Sequence, residues 1–545
     1  TSQAARTRLR RDANILLTNP DMLHLGILPN HTLWTDFFAN LHFVVLDEAH
    51  VYRGVFGSHV GCVLRRLWRV CARYGVAPQI VACSATIANP GEHLRRLAGD
   101  EAVVVDGDGA PGSARDFVLW NPPFVDRARS ARRSANIEAA RLFARLVQAD
   151  IRTITFARAR RVAELILLYA RRILEDEAPR AGARGVPPAG AGGVPLAERV
   201  RAYRAGYRPE QRREIERGLR PGGGLLGVTA TSALELGIDI GDLDASVLVG
   251  FPGTIASLWQ QAGRAGRGTR RAMSVLLALD DPLDQYFMRH PRDLFGRPHE
   301  HALIDPSNHY ILEMHLPCAA HELPLSRGTE GEEPPAAVGP PIPARSPRRA
   351  LPGRARRGSR VPQAQPLATD RPSPPLPPGL AGGDDEALFG PGFVPAMVTL
   401  EDRGTLTYSG ERWYPQVGSY PAQDVSLRAL GGSRIALLNV AEGYRVMEEM
   451  ERASALYRVH PGAIYLHQGE SFLVRELDLE VGHAILAPVQ VDHYTQPREL
   501  NDARIVRSLA HKQWGDTTVF LGQVRVTQQV IGFRRVQQFR EEVLG

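Results

Sequence analysis

Residues 41–50 read LHFVVLDEAH, and the fold turns on how those ten are taken. The run into Leu46 is apolar and β-branched without alternation, the pattern of a strand covered on both faces in a parallel α/β sheet. Asp47 and Glu48 then stand at the carboxyl end of that strand, where open α/β sheets bind their ligands. Two adjacent carboxylates suit a magnesium ion and a water to be activated. The plainer alternative is a solvated acidic strand end, and a tetrapeptide alone does not separate the two.

Working outward, the same kind of run recurs as QIVACSA (79–85), RTITFA (152–157), LLGVTA (225–230), ASVLVGF (245–251) and MSVLLAL (273–279). Between them HVGCVLRRLWRVCARYG (59–75) and SANIEAARLFARLVQAD (134–150) suit connecting helices. WNPPFVDRARSARR (120–133) breaks the pattern and reads as a hinge. These stretches predict an α/β chain with two parallel-sheet lobes, a truncated one over 1–127 and a second over 128–300. Proline, glycine and arginine dominate 326–383, which predicts a disordered insertion, and 176–196 is a smaller copy of that composition. The segments flanking the long insertion predict a winged-helix-like module over 301–415, and 416–545 reads as a β-rich region.

The 545 residues carry a net charge of +7, which ordinarily points to an acidic partner such as nucleic acid. Here it carries little weight. Lys512 is the one lysine, and every other one of the 66 basic residues is arginine. Such skew, with abundant Ala, Gly and Pro, fits GC-rich coding and arginine on solvated surface. The four cysteines form no C-x-x-C pair and read as buried thiols of a reducing cytoplasm. No apolar run reaches membrane-spanning length.

Four further stretches carry candidate chemistry. TNPDML (18–23) follows a strand-like run, and Thr18 and Asn19 can hold a nucleic-acid phosphate or simply make a turn. In CSATIANP (83–90), Ser84 and Thr86 can bond to acidic groups, though such residues also cap helices. In TATSALELGIDIGDLD (229–244), Thr231 and nearby amides can grip a phosphate at a helix start, and Asp239, past Gly237, can contact a ribose or a partner lobe. In LWQQAGRAGRG (258–268), Gln260, Arg264 and Arg267 sit among glycine and alanine, so two planar guanidinium forks can meet a phosphate.

The order TNPDML, DEAH, SAT, TITF, TATSALELGID, QQAGRAGR resembles the superfamily 2 helicases over about residues 14–280. YRAGYRPEQRREIERGL (203–219), HLPCAAHELPL (315–325) and HPGAIYLHQGESFLVRELDLE (460–480) look like the YprA/MrfA type of DEAH-box DNA helicase. The resemblance implies two RecA-like lobes with ATP and Mg2+. Asp47 would hold the metal through water, Glu48 would orient the attacking water, and His50, Ser84 and Thr86 would couple nucleotide to strand. Arg264 and Arg267 would act as arginine fingers, and Thr18 and Thr231 would hold the backbone. It further implies a monomeric 3′-to-5′ DNA helicase of bacterial DNA repair in the cytoplasm and nucleoid, acting on single-stranded and on tailed or forked duplex DNA, with no membrane partner.

Two departures qualify the match. No G-x-x-x-x-G-K-[ST] occurs, so the lysine and backbone cradle for the β- and γ-phosphates are missing, and the family's C-terminal four-cysteine region is absent. The expectation is a fragment inactive alone. An RNA helicase or remodeller, since the motor motifs mostly read sugar and phosphate, and a catalytically dead nucleic-acid-binding module are the alternatives. His460 and His467 read as ordinary strand and turn histidines or as metal ligands.

Overall fold

Among the residues described in the computed structural model, 3–107, 109, 114–126, 131–182, 194–235, 241, 243–266, 271–327, 385–428 and 434–544, the chain forms two units. One comprises residues 1–106 and 301–431, the other 107–300 and 432–545.

In the first unit the strand Phe43–Leu46 pairs in parallel with Gln79–Ala82. The helix Gly54–Arg73 that joins them is buried at every residue from Gly57 to Cys71. Val60, Leu64 and Leu67 of that helix pack with Leu46, so one face of the pair is covered. Phe43, Val45 and Val81 on the other face are exposed. Cover on both faces, expected from the apolar run, is therefore not found for this strand among the described residues.

The same unit contains the helices His309–Glu322 and Phe393–Asp402 and a three-stranded antiparallel sheet in the order Leu325–Ser326, Arg412–Pro415, Leu406–Ser409. Phe389, Phe393 and Met397 pack with Leu312 and Leu316 to form its core. Helices followed by a small winged sheet are the arrangement expected for 301–415. Arginines of Gly54–Arg73 fasten this module to the strand pair. Arg66, fully buried, makes a bidentate bond to the Glu322 carboxylate. Arg69 pairs with Asp385 and donates to the Ala319 carbonyl at 2.8 Å. These arginines are interior, not the solvated surface that composition suggests.

The second unit is built on a six-stranded, wholly parallel sheet. Its order is Arg115–Trp120, Ala272–Leu277, Ala245–Val249, Thr153–Ala157, Gly227–Ala230, Val200–Tyr203. Thr153–Ala157, Gly227–Ala230 and Ala245–Val249 are buried at every residue, as continuous hydrophobicity predicts for central parallel strands. Beyond it lie a mixed five-stranded sheet spanning Arg434–Pro488 and a long antiparallel ribbon, His493–Trp514 with Thr517–Gln537.

Two expected boundaries move. The one placed at 127 shifts to 106/107, because Arg115–Trp120 pairs with Ala272–Leu277 of the second sheet. The one placed at 415 shifts to 431/432, because Ala422, Val425 and Leu427 bury in the first unit's core. The insertion expected at 326–383 falls outside the described residues except for Ser326 and Arg327, and Ser326 is paired in the winged sheet. Residues 176–182, grouped with the smaller low-complexity stretch, continue the helix Arg160–Gly182. No helix among the described residues is long and apolar enough to cross a membrane.

Candidate functional site

The first cluster forms where Phe43–Leu46 ends. Asp47 is exposed there, and its Oδ1 accepts the Glu48 amide at 3.0 Å. Glu48 takes a left-handed backbone (φ 51), which turns the chain sharply off the strand. The turn is closed against the neighbouring strand by two bonds, Cys83 amide to Leu46 carbonyl and Ala49 amide to Cys83 carbonyl, both 2.8 Å. His50, buried, accepts the Ala85 amide on Nδ1 at 3.1 Å, and that nitrogen lies 3.5 Å from Glu48 Oε2. A ring nitrogen that accepts an amide carries no proton, so His50 is neutral in this arrangement. DEAH and SAT are thereby one hydrogen-bonded assembly.

One residue that sequence reading missed holds this turn, and a second ties the segment after SAT to Ala302. His93 Nε2 donates to the Ala49 carbonyl at 3.1 Å, and burial holds its pKa below the usual imidazole value. Asn89 exchanges two bonds with Ala302, accepting its amide at 2.8 Å and donating to its carbonyl at 3.3 Å. No motif flags either, since each acts through backbone groups. Ser84 and Thr86 are exposed, and the Ser84 hydroxyl bonds to the Ala85 carbonyl.

Thr18 and Asn19 lie in an exposed turn. Asn19 Oδ1 accepts the Met22 amide at 2.7 Å and so caps Pro20–Met22, which is the turn chemistry weighed for this stretch.

In the second unit Thr231 follows the strand Gly227–Ala230 but opens a single 3-10 turn, Ser232–Leu234, instead of a longer helix among the described residues. Gly237, Asp239 and Arg267 lie outside the described residues. Arg264 is 5% exposed, and its guanidinium bonds to the Glu235 carbonyl. The adjacent Gln261 donates to Glu235 Oε2 at 2.8 Å, while Gln260 is half-buried. The turn after Thr231 and the QQAGR segment are thus tied through Glu235, a pairing that could have been sought in the quoted ALELG. Glu300 caps the helix Ile255–Ala262, accepting the Ile255 amide at 2.6 Å and the Ala256 amide at 3.1 Å. No group of three metal-ligating side chains occurs among the described residues. His467 accepts Arg204 at 3.0 Å and His460 stacks on Phe533.

Residues 1–93 match the DEAD/DEAH box helicase family, 196–269 the helicase conserved C-terminal domain, and 304–332 the winged helix domain of ATP-dependent helicase HRQ1. The whole chain is 36% identical to the ATP-dependent helicase YprA of Bacillus subtilis, covering 63% of that protein. Over residues 1–93 and 196–269 the chain matches the superfamily 2 DEAD/DEAH-box helicases. The chain is also 32% identical over 98% of its length to ATP-dependent helicase hrq1 of Schizosaccharomyces pombe, of which it covers 44%. The DUF1998 helicase MrfA bound to DNA superposes on the entire chain with a TM-score of 0.78 at 35% identity, the match covering 63% of MrfA. MrfA bound to DNA and AMPPNP superposes with a TM-score of 0.77. The chain spans less than two thirds of each of these relatives.

Proposed function

We propose that this chain is the core of an ATP-dependent DNA helicase that moves 3′ to 5′ along single strands in DNA repair, as a monomer in the cytoplasm. The observation that carries the reading is the closure of DEAH on SAT through His50 and Ala85. It links the carboxylates of a parallel strand end to the SAT segment on the neighbouring strand. The likeness to DNA-bound MrfA supports DNA over RNA as the strand.

Asp47 offers exposed carboxylate oxygen, the hard donor that magnesium takes, with most of its shell left to water and phosphate. When bound, that ion neutralises phosphate charge. Glu48 is then the group that orients water, His50, Ser84 and Thr86 the coupling set, and Arg264 and Arg267 with Gln260 the groups facing phosphate. Thr18, Asn19 and Thr231 hold backbone phosphates of single-stranded, tailed or forked DNA, and Gly237 and Asp239 serve the nucleotide or the lobe contact. The phosphate-loop lysine is not among the 545 residues, so we assign the chain by itself little hydrolysis.

The test is steady-state ATP hydrolysis by the chain extended upstream through a phosphate loop, without polynucleotide, with single-stranded DNA and with single-stranded RNA. Stimulation by DNA alone is expected. Stimulation by RNA to an equal degree overturns the substrate, and no hydrolysis by folded protein overturns the motor.

A further inference from the structure

The second unit contains a recess of about 330 Å³ whose wall is unusually cationic. Arg160 and Arg161 come from the start of the helix Arg160–Gly182, Arg204 from the segment after Val200–Tyr203, and Arg458 from the end of the helix Arg452–Arg458. Tyr465 and Thr495 complete the wall, so the parallel sheet's own elements and the β-rich region build it jointly.

The charges do not balance within the wall. Glu448, fully buried, pairs with Arg160 at 3.1 Å and with Arg204 at 3.1 Å, and also accepts the Tyr465 hydroxyl at 2.5 Å. Glu164, equally buried, pairs with Arg204 at 3.3 Å. These two carboxylates are used up on two guanidinium groups. Arg161 makes one bond into the wall, to the Thr495 carbonyl at 3.2 Å, and its Nε is buried with no hydrogen-bond partner. Arg458, whose side chain also reaches solvent, has no carboxylate within ion-pair distance among the described residues, and partial desolvation with the neighbouring cations Arg160 and Arg204 outweighs Tyr465 and Glu448 in holding its pKa below the usual arginine value. Glu499 is the remaining acid of the lining, and it is exposed. Two guanidinium groups that line one recess, neither of them in an ion pair among the described residues, suit an oxyanion with several acceptor oxygens.

We propose that this recess is a phosphate-binding site, separate from the DEAH and QQAGR residues, which takes a phosphate of single-stranded nucleic acid. It rests on the nucleic-acid reading only for the source of the phosphate, a free nucleotide being the other source of the same chemistry. A strand held there would tie the β-rich region to the track that the motor follows.

The test is fluorescence anisotropy of a labelled single-stranded DNA oligonucleotide on the full 545-residue chain without ATP, compared with Arg458→Gln and with Arg452→Gln, an exposed arginine of the same helix outside the recess. Arg458→Gln is expected to weaken binding about tenfold and to lower the salt slope by about 1, with Arg452→Gln unchanged. A parallel arm follows thermal stabilisation by inorganic phosphate and by AMP. Stabilisation of the wild-type chain but not of Arg458→Gln, with oligonucleotide binding equal in both, keeps the site and assigns it to free phosphate. Equal behaviour of both chains in both arms overturns the site while leaving the helicase reading intact. Failure of the wild-type chain to bind oligonucleotide counts against the nucleic-acid reading, and the phosphate arm then decides the site alone.

Discussion

The Nδ1 atom of His50 accepts the backbone amide of Ala85 at 3.1 Å, joining two segments 35 residues apart in the chain. The bond fixes the direction in which the SAT segment leaves its strand, beside Asp47 and Glu48. Replacing His50 by Ala leaves that amide without its acceptor, at a cost of about 1–3 kcal/mol if no water replaces it. In the upstream-extended protein His50→Ala is expected to retain basal hydrolysis better than DNA-stimulated hydrolysis. Measuring both rates checks this; an equal fractional loss in the two would show that His50 does not couple them.

Arg66 and Glu322 form an ion pair with no exposed side-chain surface on either partner. Removing one partner of such a pair strands a buried charge, so Glu322→Ala is expected to destabilise the first unit by about 3–5 kcal/mol. An apolar replacement of both, Arg66→Met with Glu322→Leu, should recover most of that loss. Urea unfolding of the two variants against the parent chain reads the difference. A double variant as unstable as the single one would mean that packing, not charge, is what the pair supplies.

Three histidines surround that pair. Arg66 bonds to His24 Nδ1 at 2.7 Å and to His315 Nδ1 at 3.2 Å, and His315 Nε2 lies 2.9 Å from His59 Nδ1. Burial and the Arg66 charge push the His24 pKa down to about 4 and that of His315 well below its ordinary value, while burial alone lowers His59. All three are therefore neutral in the folded chain at a pH where the unfolded chain already binds protons. Their contribution is complete above the ordinary value of about 6.5 and is lost as pH falls from there toward 4. Urea midpoints of the first unit's transition should decline between pH 6.5 and 5, before most carboxylates titrate. A flat profile over that interval would count against this arrangement of the histidines.

The central parallel strands were legible because burial on both faces writes itself as unbroken apolar runs, as in TITFA and ASVLV. Arg115–Trp120 was not. It is the edge strand of its sheet and alternates in burial, so RDFVLW carries no such run and was grouped with the wrong lobe. The DEAH and SAT residues could be named from their motifs, but His93, which holds the DEAH turn, acts on the backbone carbonyl of Ala49, 44 positions away. The network of His24, His59, Arg66, His315 and Glu322 was invisible for a similar reason. Its members are scattered between positions 24 and 322 of an arginine-rich sequence, in which RRLWR looks like one more solvated helix face.

Arg264 shows where a motif and its setting part company. A finger was expected among small residues that let backbone approach closely, yet the side chain is buried and bonded to the Glu235 carbonyl, beside the Gln261–Glu235 bond. The guanidinium braces the turn after Thr231, so the finger role proposed for it has to be compatible with that brace. Lysine retains the charge but not the planar fork. In the upstream-extended protein Arg264→Lys is thus expected to lower ATP turnover by on the order of 10³-fold, as loss of a finger does, and to lower DNA affinity as well through the loosened Thr231 turn. Gln261→Ala, which removes a brace but no charge, should reduce DNA affinity while sparing most of the turnover at saturating DNA. Hydrolysis rates and anisotropy on the two variants separate the roles. If Gln261→Ala leaves DNA affinity at the parent value, the brace has no bearing on the strand and Arg264 acts at the nucleotide alone.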